Sequence, residues 1–237
     1  MQTITVSYLV GTVAMLLAVP PCLLLLGEET EGKFGYLLGI PGVAAAAYGL
    51  MALGVGVVEF QGFEVSVLRY VDWLVTTPLL IGYTAYVAGF GRQGIAGLVV
   101  TDVLMIVSGA AAVALAPPLQ WAAFGTSSVF FLILLGLLYG PVRREALQRR
   151  PARRRLARIL VNWVGLLWVV YPVVWTFGPG LKMISAAGTA IMIVYLDVIS
   201  KVTYVYLVYR SREAFETRGE GYPEALSSAG LASTPAS

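Results

Sequence analysis

Histidine is missing from this 237-residue sequence, cysteine occurs once, and charged residues make up only 12% of the chain. Without histidine there is no Ser/His or Cys/His pair for a hydrolase and no imidazole for a zinc site, so we expect neither an enzyme nor a metal centre. The lone Cys22 rules out a disulfide framework. Soluble domains spend about a quarter of their residues on charge. So few charges, beside 58% hydrophobic residues, predict a protein that faces lipid.

The hydrophobic residues are concentrated in seven stretches. Each is about long enough to cross the hydrocarbon core as a helix, at ~20 residues per crossing. The alternating segments typical of a membrane β-barrel are not found. The sequence therefore predicts an all-α membrane protein, a seven-transmembrane-helix bundle in the cell membrane. The stretches are residues 4–26, 34–58, 68–90, 94–116, 119–139, 159–177 and 184–208.

Basic residues predict the orientation of this bundle. Thirteen of the sixteen fall in or beside the first, third and fifth loops or the tail; the exceptions are Arg69, Lys182 and Lys201. In a chain that crosses the membrane seven times, these loops and the tail lie on the same side. The positive-inside tendency makes that side the cytoplasm, with the amino terminus outside and the carboxyl terminus inside. The arginine run at 143–158 is then a topology signal, with lipid-headgroup or partner binding as the alternative, and nucleic acid is not needed to explain it.

Two regions follow from this division. Residues 1–212 form the membrane domain. Residues 213–237 are rich in Gly, Ser, Ala and Pro, which predicts a flexible cytoplasmic tail.

Five charged residues inside the apolar stretches are the main functional signal. The chain has only three aspartates, and Asp72, Asp102 and Asp197 all lie within stretches, as do Arg69 and Lys201. A charge at mid-helix costs about 2.5 to 3.5 kcal/mol even on lenient insertion scales, so such groups face the bundle interior and pair there. The spacing Arg69 to Asp72 and Asp197 to Lys201 places each couple on one helix face, and we expect both couples to pair.

Lys201 has two interpretations from charge logic alone. Beside one carboxylate it is a structural ion pair. Alternatively, a buried amine can form a Schiff base with an aldehyde cofactor, because desolvation favours its neutral, nucleophilic form. A seven-helix carrier that binds an ion through aspartate and lysine is a further possibility.

Three motifs resemble those of microbial (type 1) rhodopsins. They are residues 69–80 (RYVDWLVTTPLL), 167–175 (LWVVYPVVW) and 195–202 (YLDVISKV), which are similar to the third, sixth and seventh helices of that family. The likeness extends over all seven stretches. It implies all-trans retinal bound covalently at Lys201 as a protonated Schiff base, with Asp72 as counterion and proton acceptor, Asp197 as second counterion and Arg69 as outward partner.

The resemblance also implies a retinal pocket. Trp73, Trp168, Tyr171 and Trp175 would sandwich the polyene. Asp102, near the ionone ring, has no obvious cation, so we expect its carboxyl to be protonated and hydrogen-bonded. The remaining pocket residues implied are Thr76, Thr77, Phe124, Ser127, Phe131 and Ser200.

The activity that the resemblance implies depends on a missing internal proton donor. Proton pumps carry a carboxylate eleven residues after the acceptor, and here that position is Tyr83; the outer glutamate positions are Gly180 and Thr189. A slow cycle suits a photoreceptor for phototaxis, and the alternative is a slow outward proton pump.

In detail the chain is similar to archaeal sensory rhodopsins, most of all sensory rhodopsin I. It departs from them at Trp163 and Phe131, where histidines are found, which puts two-colour signalling in doubt. The likeness implies a membrane transducer contacting helices six and seven, with Tyr195 as a candidate contact. It leaves the absorption maximum, the sign of the response and homo-oligomer formation open.

Overall fold

The computed structural model describes residues 2–26 and 32–215. Ten α-helices and one two-stranded hairpin account for most of this part of the chain. In order they are α1 (Gln2–Leu17), α2 (Val19–Leu26), α3 (Gly35–Ala52), β1 (Val57–Phe60), β2 (Phe63–Ser66), α4 (Val67–Ala88), α5 (Arg92–Ala114), α6 (Leu119–Leu137), α7 (Arg143–Ala146), α8 (Pro151–Trp168), α9 (Val170–Trp175) and α10 (Ala186–Arg210).

These helices form seven spans because several of them continue one another. α1 and α2 are one span, broken before Pro20, and α8 and α9 are another, broken at Val169. Proline lacks the N–H that would bond the carbonyl four residues earlier, so Pro172 cannot bond Trp168 and the helix is interrupted there. A π-helical turn, Leu138–Val142, joins α6 to α7. The seven-helix, all-α bundle predicted from hydropathy is therefore confirmed.

Six of the spans are apolar enough to cross a membrane by length and composition. The exception is α4, in which Arg69, Asp72 and Thr76 are all buried inside the protein. Its low hydropathy reflects polar groups turned inward, as expected of a span that carries a site. The protein is a multi-pass membrane protein, and which face is cytoplasmic stays a prediction.

A short β-hairpin lies between α3 and α4 and was not predicted. The stretch 34–58 was expected to be one helix, but α3 ends at Ala52 and Val57 and Val58 belong to β1. Gln61 and Gly62 make the turn with φ of 53° and 77°, the left-handed values that a tight hairpin turn requires. Lys182 Nζ donates to the Gln61 carbonyl at 2.7 Å, which ties the turn to the loop before α10.

The two ends of the bundle differ in composition. We call the end that carries β1 and β2 the hairpin end, and the end that carries residues 143–158 the arginine end. At the arginine end, two arginines reach across to the last turn of α4: Arg149 Nη2 donates to the Gly89 carbonyl at 2.8 Å, and Arg153 donates to the Val87 and Tyr86 carbonyls at 3.0 Å each. Carbonyls in the last turn of a helix lack the usual N–H partner four residues later, so the arginines cap α4; the Tyr86 carbonyl also accepts from the Gly89 N–H at 2.9 Å.

A short 3-10 helix, Arg212–Phe215, follows α10, with Phe215 fully buried against Phe34. The rest of the predicted tail, residues 216–237, lies outside the described residues.

Candidate functional site

Lys201 is the centre of a buried charge cluster between α4 and α10. Its Nζ donates to Asp72 Oδ2 across the interface and lies 3.5 Å from Asp197 Oδ2 on its own helix. None of the three side chains is more than 2% exposed. The spacing of four residues therefore pairs Asp197 with Lys201 as expected, and the amine is held between two carboxylates in a site without bulk water.

Asp197 is also the acceptor for three other side chains. Tyr48 Oη donates to Oδ2 at 2.7 Å, Tyr171 Oη donates to Oδ1 at 2.6 Å, and Trp73 Nε1 lies 3.1 Å from Oδ2. These donors come from α3, α9 and α4. Hydrogen bonds to a charged acceptor are short and strong, so this carboxylate ties four spans to one point.

Arg69 does not form the expected pair with Asp72. No salt bridge joins them among the described residues; Arg69 Nη2 instead lies 3.4 Å from Tyr8 Oη on α1, and its Nε has no partner there. A helical side chain slants towards the amino-terminal end of its helix. The guanidinium of Arg69 is therefore carried towards the hairpin end, away from the carboxylate one turn later.

Beside Lys201 an elongated cavity extends to the hairpin end. The space between its protein atoms is about 1120 Å³, a value that includes the solvent at its open mouth. Lys201 and Ser200 are part of its lining, together with eight aromatic side chains. The predicted pocket residues found in the lining are Trp73, Thr77, Phe124, Ser127, Phe131, Trp168, Tyr171, Trp175, Ser200 and Lys201.

Thr76 and Asp102 are buried beside this lining and are not part of it, and their place in a retinal pocket stays a prediction. Thr76 Oγ1 donates to the backbone carbonyl of Asp72 at 2.9 Å. Asp102 Oδ2 lies 2.7 Å from Thr77 Oγ1, and Thr77 Oγ1 is also 2.7 Å from the Trp73 carbonyl. The hydroxyl has one proton to give. The Trp73 carbonyl can only accept, so the hydroxyl proton of Thr77 goes to that carbonyl. The hydrogen bond between Thr77 and Asp102 then needs a proton on Asp102, in line with the neutral carboxyl that we expect.

The cavity walls are fixed by ring packing between α4, α6 and α9. Trp175 stacks on Phe124 with centroids 4.1 Å apart and an interplanar angle of 9°, while Trp73 meets Tyr171 edge-on at 5.4 Å. Ser127 Oγ donates to the Met105 carbonyl at 2.8 Å and joins α6 to α5. The aromatic stripe on α8 and α9 therefore faces a cavity rather than lipid.

Two contacts of this site were missed by the sequence analysis. Tyr48 lies on a helix of small residues, and nothing near it in the sequence signals a buried acceptor 149 positions away. Trp163 Nε1 donates to the Ser200 carbonyl at 3.3 Å, directly before the lysine, and so links α8 to α10. The sequence marked Trp163 only as a departure from histidine.

The interior between Lys201 and the arginine end is closed. Tyr83 Oη donates to the Gly32 carbonyl at 2.8 Å, and Tyr204 Oη lies 2.9 Å from Thr84 Oγ1 and 3.0 Å from the Leu80 carbonyl. In the described part of the chain, no carboxylate is found inside this half. Tyr195, by contrast, is 57% exposed on the outer face of α10.

The donor set fits an aldehyde-bearing polyene. A single amine lies beside an apolar slot, which is where such a molecule could condense and lie between rings. Asp72 Oδ1 is buried without a partner in the described residues, so the cluster also has an unused acceptor beside that nitrogen.

Comparison with known proteins places this geometry among proteins of similar sequence and fold. The sequence profile of the family described as "Bacteriorhodopsin-like protein" matches residues 2–215. The chain is 48% identical to "Sensory rhodopsin-1" of Halobacterium sp. (strain SG1), over 80% of this chain and 77% of that protein. It is 43% identical to "Sensory rhodopsin" of Halorubrum sodomense, over 90% and 85%. Its fold is similar to the crystal structure of the light-driven proton pump Coccomyxa subellipsoidea rhodopsin, with a TM-score of 0.84 at 27% identity and coverage of 89% and 97%.

Proposed function

Because the chain belongs to the bacteriorhodopsin-like family, we propose that it is a retinal-based photoreceptor of the sensory rhodopsin kind. A family of retinal proteins implies a retinal chromophore for this chain as well. The relatives at 48% and 43% identity are named as sensory rhodopsins, which supports a sensor above a transporter. The observation that carries the proposal is the Lys201 amine, held between Asp72 and Asp197 beside an aromatic cavity.

Lys201 would hold all-trans retinal covalently through its Nζ, with loss of water on condensation. Trp73, Trp168, Tyr171 and Trp175 would confine the chain of double bonds, and Phe124, Phe131 and Ser127 would contact its far end. Two carboxylates around one cation leave a net negative site, which Arg69 at the hairpin side compensates.

When bound, retinal supplies a light-driven isomerisation that reorients the nitrogen of Lys201. Asp72 Oδ2 is already that nitrogen's hydrogen-bond acceptor, so it is the group placed to receive the proton. Asp197 keeps the donors Tyr48, Trp73 and Tyr171 and stays charged through the transfer.

Transfer of this proton neutralises the charge pair between α4 and α10. An attraction that holds the two helices together is lost, and a two-state bundle shifts towards its other arrangement. The break between α8 and α9 at Val169, beside Pro172, is the point at which the sixth span can change direction. An outward shift of α8 would alter the surface at the arginine end.

A membrane transducer in contact with the sixth and seventh spans would read this shift. Tyr195 supports such a contact because a large side chain that is 57% exposed on α10 is free to meet a partner in the membrane.

Replacing Lys201 by alanine tests the assignment directly. We expect Lys201→Ala, expressed with added all-trans retinal, to form no pigment that absorbs visible light. Lys182→Ala is the matched control, because Lys182 is an exposed lysine at the hairpin end and should leave the colour intact. A visible pigment in Lys201→Ala would overturn the site assignment.

Light-induced acidification separates the sensor from the slow outward pump. We expect vesicles that carry the chain without a transducer to show little net proton movement under steady light, since no carboxylate among the described residues can return a proton from the arginine end. Sustained, uncoupler-sensitive acidification at several protons per molecule per second would instead establish a pump.

A further inference from the structure

Five of the eight arginines at 143–158 fall into two groups with different surroundings. Arg149 and Arg153 turn inward and bond the last carbonyls of α4. Arg143, Arg154 and Arg158 are exposed, and their side chains have no hydrogen bond or ion pair to another described residue. A topology signal requires only that the charges stay on one side, so it does not account for this division.

These three exposed arginines surround a groove between α7 and α8. Arg154 and Arg158 are one turn apart on α8 and lie on one face of it, while Arg143 closes the groove from α7. The floor is apolar, made of the buried side chains of Ala146, Ala157 and Val161. Leu147 lines the rim and is 62% exposed.

The charge in this groove is uncompensated within the described chain. Glu145 is the nearest acidic residue in sequence, and its carboxylate is engaged by Arg149 at 3.3 Å. Three like charges around one depression repel one another, and an anion placed between them relieves that repulsion. Guanidinium groups bind phosphate oxygens in a planar, bidentate manner, so phosphate is the anion that such a set recognises best.

The position and the apolar floor of the groove favour a phospholipid over free phosphate. The groove lies where two membrane spans end, at the depth of lipid headgroups. Its exposed leucine and buried alanine and valine offer contact to hydrocarbon, which a free phosphate cannot use. We propose that this groove binds one anionic phospholipid, with its phosphate between Arg143, Arg154 and Arg158 and its acyl end against Val161.

Native mass spectrometry of the detergent-purified holoprotein titrated with phosphatidylglycerol tests this proposal. Each basic residue near a membrane surface adds to the free energy of binding an anionic lipid. We therefore expect the double variant Arg154→Gln/Arg158→Gln, which loses two of them, to bind phosphatidylglycerol about thirtyfold more weakly. The control is Arg144→Gln/Arg155→Gln, which removes the same charge from exposed positions of the same segment outside the groove. It should keep the affinity within about threefold.

Two competitor arms identify the ligand. Zwitterionic phosphatidylcholine should bind at least tenfold more weakly than phosphatidylglycerol, and inorganic phosphate at equal concentration should not displace the lipid. Equal losses in the two double variants, no preference for the anionic lipid, or displacement by inorganic phosphate would each overturn the proposal. The visible absorption of each preparation shows that the variants are folded.

Discussion

The two halves of the interior on either side of Lys201 are built differently. Towards the hairpin end there is a cavity, and buried polar atoms without partners among the described residues are found on Asp72, Arg69, Ser66, Trp175 and Thr189, against Arg149 Nε at the arginine end. Towards the arginine end, Phe34, Tyr83, Tyr204 and Phe215 belong to one core cluster, and both tyrosine hydroxyls have hydrogen-bond partners. Orphaned polar atoms need water, whereas a satisfied aromatic core excludes it.

This difference favours proton movement from the charge cluster towards the hairpin end. A proton leaving the Lys201 nitrogen meets acceptors and room for water on the hairpin side, and a closed wall on the other. We therefore expect the return of a proton to be the slow step, so that the long lifetime of the lit state would follow from the packing of this half and not from the chemistry of the lysine.

Removing the acceptor carboxylate should have the largest effect. In Asp72→Asn the nitrogen loses the carboxylate to which it donates, and the remaining carboxylate, Asp197, is already engaged by three other donors, so we expect light-driven proton transfer to fall by a factor of 10² or more. Time-resolved visible absorption measures the deprotonated fraction. Asp102→Asn is the control, because an amide can still donate to Thr77; it should transfer its proton within about twofold of the unaltered rate. Comparable loss in both variants would contradict the assignment of Asp72.

A carboxyl group placed in the closed half should abolish the asymmetry. With protons supplied from bulk water, dark recovery should slow about tenfold for each unit of pH increase. We expect Tyr83→Asp to recover on the order of 10²-fold faster at neutral pH, with a flattened pH dependence, because an internal donor replaces bulk supply. Flash photolysis from pH 5 to 8 measures both quantities.

Tyr83→Asn is the matched control for that variant. Both substitutions remove the ring and the bond to the Gly32 carbonyl, and asparagine has the size of aspartate, so only the ionisable carboxyl distinguishes them. Equal recovery rates in the two variants would show that proton supply does not limit the return.

Two fully buried tyrosines, one in each half, differ in the acceptor of their hydroxyl group. Removing each hydroxyl compares the stability contributed by a bond to a charged acceptor with that of bonds to neutral groups. Tyr48→Phe leaves the Asp197 carboxylate short of one donor and should lower the free energy of unfolding by about 1.5–3 kcal/mol. Tyr204→Phe loses bonds to neutral groups only, and should cost about 0.5–1.5 kcal/mol. Loss of visible absorption in denaturant measures both. The reverse order would mean that Asp197 does not depend on Tyr48.

The smallest effect is expected at Trp163. Trp163→Phe removes one long hydrogen bond to the Ser200 carbonyl and should cost about 0.5–1 kcal/mol. An infrared spectrum with a ¹³C label on the Ser200 carbonyl should show its band move to higher frequency. Trp121→Phe, which removes an indole with no such bond in the described structure, should leave that band unchanged. A band that stays in place in both variants would exclude the contact.

Much of the fold could be predicted because hydropathy is a property of long stretches. Seven apolar segments and a one-sided arginine distribution are visible without coordinates. The hairpin could not be predicted, since Val57–Phe60 and Phe63–Ser66 are four-residue strands at the edge of an apolar stretch and show no separate period. The end of α3 was misplaced for the same reason.

The site was predictable to the extent that it consists of charges in apolar surroundings. Asp72, Asp197 and Lys201 stand out because each is costly in lipid, and the structure brings all three together. Tyr48 and Trp163 could not be found, because tyrosine and tryptophan are ordinary in membrane helices and their roles depend on partners distant in sequence. The predicted pair Arg69 and Asp72 failed because spacing fixes a shared face but not the direction in which a long side chain extends.

The capping of α4 by Arg149 and Arg153 has a consequence for the lit state. If α8 swings outward, the carbonyls of Val87 and Gly89 lose the guanidinium donors of Arg153 and Arg149, while the Tyr86 carbonyl keeps its bond from the Gly89 N–H. Solvent molecules must then enter to replace those donors, so the displaced arrangement holds more water than the dark one. Osmotic stress, applied with a solute too large to enter, should therefore shorten the lifetime of the signalling form.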